Sequence, residues 1–227
     1  MSEIDWRKLS EVLDFYSSEE NGPLLHQFYA WIVDQFDEAD WEPEHCLEMG
    51  CGSGLLAAKL VEWYPDTRFS LVDANGAMLE LARERLGDAG SVAIHESSCE
   101  DFLASLDSDA ADMSVFCRSW YALADPHKVA ADLVRVLKPG GMVFIYDFEA
   151  LIDFESIDAS VEAQDPERWK ILCSVMEEFN EGVESGRYSL WTEQAVNEIW
   201  RGVGAEVLAY ESHAPESPTG RACIRLP

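Results

Sequence analysis

His45 to Leu60 reads H-C-L-E-M-G-C-G-S-G-L-L-A-A-K-L, and this stretch decides the fold. Cys46, Leu47 and Met49 suit a buried strand, Gly50, Gly52 and Gly54 make a glycine-rich turn, and Leu55, Leu56, Ala57, Ala58 and Leu60 open a buried helix. Glycine has no Cβ, so a strand–glycine loop–helix unit brings main-chain N–H groups close to a ligand. The helix N-terminus adds a partial positive charge that suits a carboxylate or phosphate. The stretch by itself implies a nucleotide-like ligand and does not say which.

Working outward, the helix is expected to end near Trp63–Pro65, and Arg68 to Val72 reads as a second strand closed by Asp73. The interval from Gly50 to Asp73 fits one βαβ unit, and an acid at the tip of the second strand is placed to accept hydrogen bonds from ribose hydroxyls. A helix follows over Ala77–Leu86, then a third strand over Ser91–His95 and the segment E-S-S-C-E-D-F. A fourth strand, Asp112–Cys117, leads into R-S-W-Y-A-L-A-D-P. A helix over Pro126–Leu137, the turn L-K-P-G-G and a fifth strand over Met142–Tyr146 complete the run. Strands alternating with helices without long gaps predict an open parallel sheet.

Residues 4–38 read as two amphipathic helices broken by S-S-E-E-N-G-P, a helical lid in which Tyr16, His26 and Tyr29 are candidates to face a substrate and the other aromatics pack. Residues 148–165 are acidic and irregular, Pro166–Val183 and Thr192–Val203 read as helices, and strands are expected at 205–210 and 222–226. The expected fold is α/β: a Rossmann-like, doubly wound, mainly parallel seven-stranded sheet with helices on both faces. The whole chain, 1–227, is then one domain: a lid over 1–43, a cofactor-binding core over 44–147, an insertion near the substrate site or a dimer surface over 148–190, and a closing helix and strands over 191–227.

The 227 residues include 44 Asp and Glu against 16 Lys and Arg, a formal net charge of −28. Such a field repels polyanions, so nucleic acid and anionic membranes are not expected partners. It also suits a cation-rich, saline cytoplasm. No apolar run approaches the ~18 residues of a membrane span, and M-S-E-I-D-W-R-K lacks the apolar core of a signal peptide; a cytoplasmic location is expected. The six cysteines are scattered without a C-x-x-C pair, so they read as small core residues and no metal is expected.

Four motifs in order carry a resemblance. L-E-M-G-C-G-S-G resembles the first motif of the class I S-adenosylmethionine-dependent methyltransferases of the small-molecule type. L-V-D-A-N-G-A-M-L-E-L-A resembles their second, S-S-C-E-D-F their third, and L-V-R-V-L-K-P-G-G-M-V-F-I their turn before strand five. The resemblance spans about residues 44–147. It implies S-adenosylmethionine as cofactor and S-adenosylhomocysteine as product. It places the main chain at Gly50, Cys51 and Gly52 against the methionine part, with Gly54 in the same loop, and Glu48 at its amino group. Asp73 takes the ribose hydroxyls, and Ala74 and Met78 flank the adenine. Ser98, Cys99 and Glu100 frame the adenine edge, and Cys117 and Arg118 lie beside the sulfonium. Where the family often has Asp, this chain has Ser98, so the adenine contact falls to a serine hydroxyl or to Glu100.

A sulfonium methyl is already activated, so the protein's task is positioning, and a base is needed only where an acceptor proton must leave early. The candidates for catalysis are Arg118, Tyr121 and Tyr16. Arg118 is placed to clamp a carboxylate on the acceptor, Trp120 or Tyr121 to line the pocket or face a cation. His127 and His95 carry no strong claim. The expected partner is a small-molecule acceptor and the chain a monomer or homodimer. Three other readings stay open: a nicotinamide-dependent oxidoreductase, disfavoured by G-x-G-x-G and the K-P-G-G turn; another reaction on the same cofactor, such as making a carboxylated derivative; and a non-catalytic cofactor-binding module.

Overall fold

A computed structural model describes residues 6–16, 23–39, 41–153, 165–214 and 217–227. The elements in order are α1 (Trp6–Tyr16), α2 (Pro23–Ala39), β1 (His45–Met49), α3 (Leu55–Trp63), β2 (Arg68–Asp73), α4 (Gly76–Leu86), β3 (Val92–Glu96), α5 (Cys99–Ser105) and β4 (Ala111–Cys117). A 3-10 turn at Trp120–Ala122 follows, then α6 (Pro126–Val136), β5 (Leu137–Phe148), α7 (Pro166–Glu184), α8 (Glu193–Gly202), β6 (Glu206–Ser212) and β7 (Thr219–Arg225). The strands form one seven-stranded sheet in the order β3-β2-β1-β4-β5-β7-β6. β1 to β5 pair in parallel, and β7 runs antiparallel between β5 and β6. The chain thus belongs to the doubly wound architecture expected from its motifs.

The period-two alternation of the strands splits the core into two layers. Leu47, Met49, Val72, Phe116, Val143, Ile145 and Ile224 pack on one face with side chains of α5, α6 and α8. Cys46, Phe69, Leu71, Val115, Phe144, Tyr146 and Cys223 pack on the other with α2, α3 and α4. Central strands buried on both faces read as near-continuous apolar runs, as M-S-V-F-C and L-V do here. Helix starts follow local chemistry: Asn75 accepts from the N–H groups of Ala77 and Met78, Asp125 precedes Pro126, Asp165 precedes Pro166, and Thr192 caps α8.

Three differences from the sequence expectation stand out. E-S-S-C-E-D-F, given no element from the sequence, opens α5, started by Ser98, whose Oγ accepts from the N–H of Asp101 at 3.0 Å. β5 begins at Leu137 rather than Met142, because Leu137 pairs with Ala111 before a register shift lets Met142 pair with Met113. Glycine is required inside that shift, since a Cβ at Gly141 would sit 2.8 Å from the carbonyl oxygen of Lys138. The last strand spans Thr219–Arg225, longer than the expected 222–226, as pairing with Phe148 extends it. Most of the acidic stretch 148–165, residues 154–164, lies outside the described residues.

α1 is joined to the body by the buried Leu9 and Val12 and by charge. Arg7 pairs with Glu84 at 2.9 Å and Asp14 with Arg85 at 2.5 Å on α4, while Lys8 meets Glu167 of α7 at 3.5 Å. Arg168 of α7 lies over the Phe15 ring at 4.6 Å. α1 therefore bridges the ends of α4 and α7 and closes over the C-terminal edge of the sheet.

Candidate active site

The C-terminal ends of β1, β2 and β4 surround a cavity of about 480 Å³, at the point where strand order reverses from β1 towards β2 on one side and β4 on the other. Its wall contains Glu48, Gly50, Cys51, Gly52, Asp73, Ala74, Met78, Ser98, Cys99, Glu100, Cys117, Arg118 and Tyr121, thus nearly every residue singled out from the sequence. Gly54 is not in that wall: it precedes α3 in a left-handed conformation (φ 73°), and a Cβ there would meet Ala82 of α4 at 3.2 Å. Its role is close helix packing. The side chains of Tyr16 and His26 lie outside the described residues. Trp120, expected beside the pocket, is buried in the core, its ring 4.8 Å from Phe116, 5.1 Å from Trp191 and 5.6 Å from Trp200. His127 is exposed on α6, and His95 packs on Phe102 at 4.7 Å.

The glycine loop departs from a phosphate cradle. The N–H groups of Gly50 and Cys51 both donate to the carbonyl of Val72, that of Gly52 to Asp73 Oδ2 at 2.8 Å, and that of Gly54 to the carbonyl of Cys51. The main chain of Gly50, Cys51 and Gly52 lines the cavity, with these three N–H groups bonded within the protein. Ser53, Leu55 and Leu56, at the start of α3, complete this side of the cavity wall. Close approach still dictates glycine, since a Cβ at Gly50 (φ +74°) would lie 2.3 Å from Ser119 Cβ, while a Cβ at Gly52 meets nothing within 4 Å.

The acids of the wall divide by environment. Glu48 is 2% exposed, its Oε2 has no hydrogen-bond partner, and burial followed by the charge of Asp73 pushes its pKa up to about 8. Asp73 accepts from Gly52 and, through Oδ1, from the N–H of Asn75 at 2.8 Å, leaving lone pairs for further donors. Glu100 Oε1 accepts from the N–H of Ala124 at 3.0 Å, tying α5 to the turn after β4. Ser98 uses its hydroxyl as a helix cap. Burial pushes the thiols of Cys99 and Cys117 up to about 12, so both are inert at neutral pH.

Arg118 adopts a left-handed backbone (φ 55°), its N–H donating to the carbonyl of Tyr146 at 2.7 Å. Several wall residues escaped the sequence reading. Leu13 and Asp14 come from α1, and Asn75 and Ser119 flank the loops. Asp147 is not in the wall but governs it: fully buried, it accepts from the N–H groups of Trp120 (2.7 Å), Tyr121 (3.2 Å) and Phe148 (2.7 Å), and burial raises its pKa to about 7 against these hydrogen bonds. The only sequence sign of it is an acid inside an apolar strand, F-I-Y-D-F.

Residues 47–145 match the family described as a methyltransferase domain. The match takes in the strands and loops that surround the cavity. The methyltransferase region is 27% identical over 122 residues to malonyl-[acyl-carrier protein] O-methyltransferase 1 of Ilyobacter polytropus, covering 53% of this chain and 44% of that protein. It is 31% identical over 147 residues to a ubiquinone/menaquinone biosynthesis C-methyltransferase of Klebsiella pneumoniae, covering 63% and 56%. The chain thus spans about half the length of the curated relatives it matches. Ribosomal RNA methyltransferases are also among the relatives. The fold is shared along nearly the whole chain with a SAM-dependent methyltransferase from Aquifex aeolicus, at a TM-score of 0.66, 17% identity and coverage of 99% and 100%.

S-adenosylmethionine is the cofactor of this domain family, and the cavity fits it. The unpartnered Glu48 oxygen matches an ammonium, and Asp73 matches a diol. Among the described residues no helix is long and apolar enough to cross a membrane.

Proposed function

We propose that this chain transfers a methyl group from S-adenosylmethionine to a small-molecule acceptor by in-line attack. The observation that carries the reading is the convergence of Glu48, the Gly50–Gly52 loop, Asp73 and the Ser98–Glu100 segment on one cavity of about 480 Å³. When bound, the cofactor supplies a methyl group already activated on a sulfonium. The chain's own residues bind, orient and exclude water. Glu48 holds the amino group, Asp73 the ribose hydroxyls, and Ala74 and Met78 flank the adenine. With the Ser98 hydroxyl committed to its cap, the main chain of α5's first turn and Glu100 frame the adenine edge.

The acceptor space lies between α1, α2 and the turn after β4, where Leu13, Tyr29 and Tyr121 meet the cavity. Burial pushes the phenols of Tyr29 and Tyr121 well above the usual tyrosine range, so both act as neutral walls and hydrogen-bond donors rather than as bases. A strongly acidic surface favours small metabolites over RNA. Calorimetric titration with S-adenosylmethionine and S-adenosylhomocysteine, followed by a mass-spectrometric screen of small acceptors, tests the reading. Micromolar binding with methyl transfer is expected. Absence of binding at both low and high salt rules it out, and binding without transfer to any acceptor class points to a cofactor-binding module.

A further inference from the structure

Five charged side chains reach the cavity wall, and four of them are acids: Asp14, Glu48, Asp73 and Glu100. The fifth is Arg118. In a chain where acids outnumber bases by 44 to 16, a cation in a cleft would ordinarily collect a carboxylate. Among the described residues Arg118 makes no ion pair, and its Nε is buried without any hydrogen-bond acceptor. Tyr146 serves the guanidinium through its hydroxyl and presents its ring 5.8 Å away. Asp147 acts on it only across a gap, because its oxygens are taken up by the main chain of Trp120, Tyr121 and Phe148. A guanidinium offers five donors in a planar fork, and with Tyr146 as its side-chain partner and no carboxylate beside it, the fork suits an anionic ligand in the cavity.

Sheet order decides which ligand group that is. The glycine loop follows β1, and Asp73 ends β2, so the cofactor residues run from β1 towards β3. Arg118 follows β4 and leans the other way, over Tyr146 of β5, with Tyr29 of α2 within reach of its charge. Its left-handed backbone holds it there, since the same residue donates its N–H to β5. Arg118 thus stands on the β5 side of the one cavity, with Asp73 on its β2 side.

We propose that Arg118 is the receptor for a carboxylate on the methyl acceptor, which makes the substrate class a small organic acid. This rests on the methyltransferase reading above. The carboxylate docks on the guanidinium fork in the direction of β5, and the reacting atom of the same molecule is held between Tyr29, Tyr121 and the cofactor side of the cavity. Asp73 and Glu100 repel the acceptor's charge elsewhere in the cleft, so one cation fixes both its selection and its orientation.

Two titrations test this on the intact chain and its Arg118→Met and Arg118→Lys variants. The first uses S-adenosylhomocysteine and 5′-methylthioadenosine, which lacks the amino-acid tail. The second follows acetate, succinate and benzoate, each beside its neutral amide, by saturation-transfer NMR on protein loaded with S-adenosylhomocysteine. The expected result is unchanged affinity for both nucleosides in all three proteins, which also shows that the variants fold. Carboxylate signals that exceed the amide signals in the wild type should fall about tenfold in Arg118→Met and partly return in Arg118→Lys. Loss of S-adenosylhomocysteine affinity in Arg118→Met with 5′-methylthioadenosine unaffected assigns the arginine to the cofactor's own carboxylate and overturns the proposal. Carboxylate signals absent from the wild type, or equal in Arg118→Met, overturn it as well. Wild-type protein that binds neither nucleoside defeats the methyltransferase reading instead, and the same carboxylate probes on the unloaded protein then test Arg118 separately.

Discussion

At the scale of single residues, Glu48 is the group whose state the fold alters most informatively. An ordinary glutamate has a pKa near 4.5, and here burial lifts it to about 8. The folded protein therefore keeps a proton that the unfolded chain sheds above about 4.5. Glu48's contribution to stability is full below that pH and is lost as pH rises towards about 8. An ammonium placed beside Glu48 favours the ionised form, so binding of S-adenosylhomocysteine should release protons below pH 8 and tighten as pH approaches 8. Calorimetry in buffers of different ionisation enthalpy measures this, and Glu48→Gln should abolish the proton release; a pH-independent wild type would contradict the assignment. Asp73→Ala should weaken the same ligand about tenfold, the equivalent of about 1.4 kcal/mol. Because Asp73 also holds Gly52 and Asn75, part of that loss will appear as lower stability of the free protein. Gly50→Ala sets a new Cβ 2.3 Å from Ser119 at a positive φ, and a urea titration should show a loss of about 2 kcal/mol or more.

At the scale of elements, the turn after β4 and helix α7 behave as one supported unit. Tyr121 meets Phe148 at 5.9 Å, Phe179 of α7 at 5.1 Å and Tyr188 at 4.9 Å, and its carbonyl accepts from the N–H of Ser189. Tyr188 in turn lies directly on Gly182, where a Cβ would come 2.1 Å from its ring. Gly182→Ala is expected to push Tyr188 away, loosen α7 from Tyr121 and cost about 1–3 kcal/mol of stability, while S-adenosylhomocysteine affinity stays unchanged. A parallel loss of that affinity would show that α7 supports the cofactor side as well. Asp147→Ala removes the acceptor of three main-chain N–H groups at once, and about 3 kcal/mol should be lost with broadening of the Trp120 and Tyr121 amide resonances.

Across the whole molecule, charge dominates the response to solution conditions. A net −28 repels itself at low ionic strength, and the exposed pairs that offset it, such as Arg7–Glu84 and Lys128–Asp132, are individually weak. Screening removes more repulsion than attraction when acids exceed bases by this margin. The melting temperature should therefore rise from low salt to molar KCl, and a flat or falling profile would exclude self-repulsion as the controlling factor. α1 is an exception within the same molecule: salt weakens its pairs to Glu84, Arg85 and Glu167, so hydrogen exchange in α1 should quicken while the sheet becomes more protected.

The strand–loop–helix unit at His45–Leu60, Asp73 and the K-P-G-G turn were legible because each is local: period-two and helical spacing, glycine where a Cβ cannot fit, and an acid at a fixed interval from the loop. These residues determined by themselves the doubly wound sheet and the cofactor end of the cavity. Tertiary structure alone decided the rest. Trp120 and Tyr121 are neighbours with similar side chains, yet opposite sides of one turn send the first into the core and the second to the cavity. No spacing rule joins Asp147 to a turn 26 residues earlier, Tyr188 to Gly182 and Tyr121, or Asp14 to Arg85 across 71 residues. Local sequence fixes where main-chain groups point within an element, whereas the burial of Glu48 and Arg118, and hence the charge each offers a ligand, depends on strands and helices that meet only when the chain has folded.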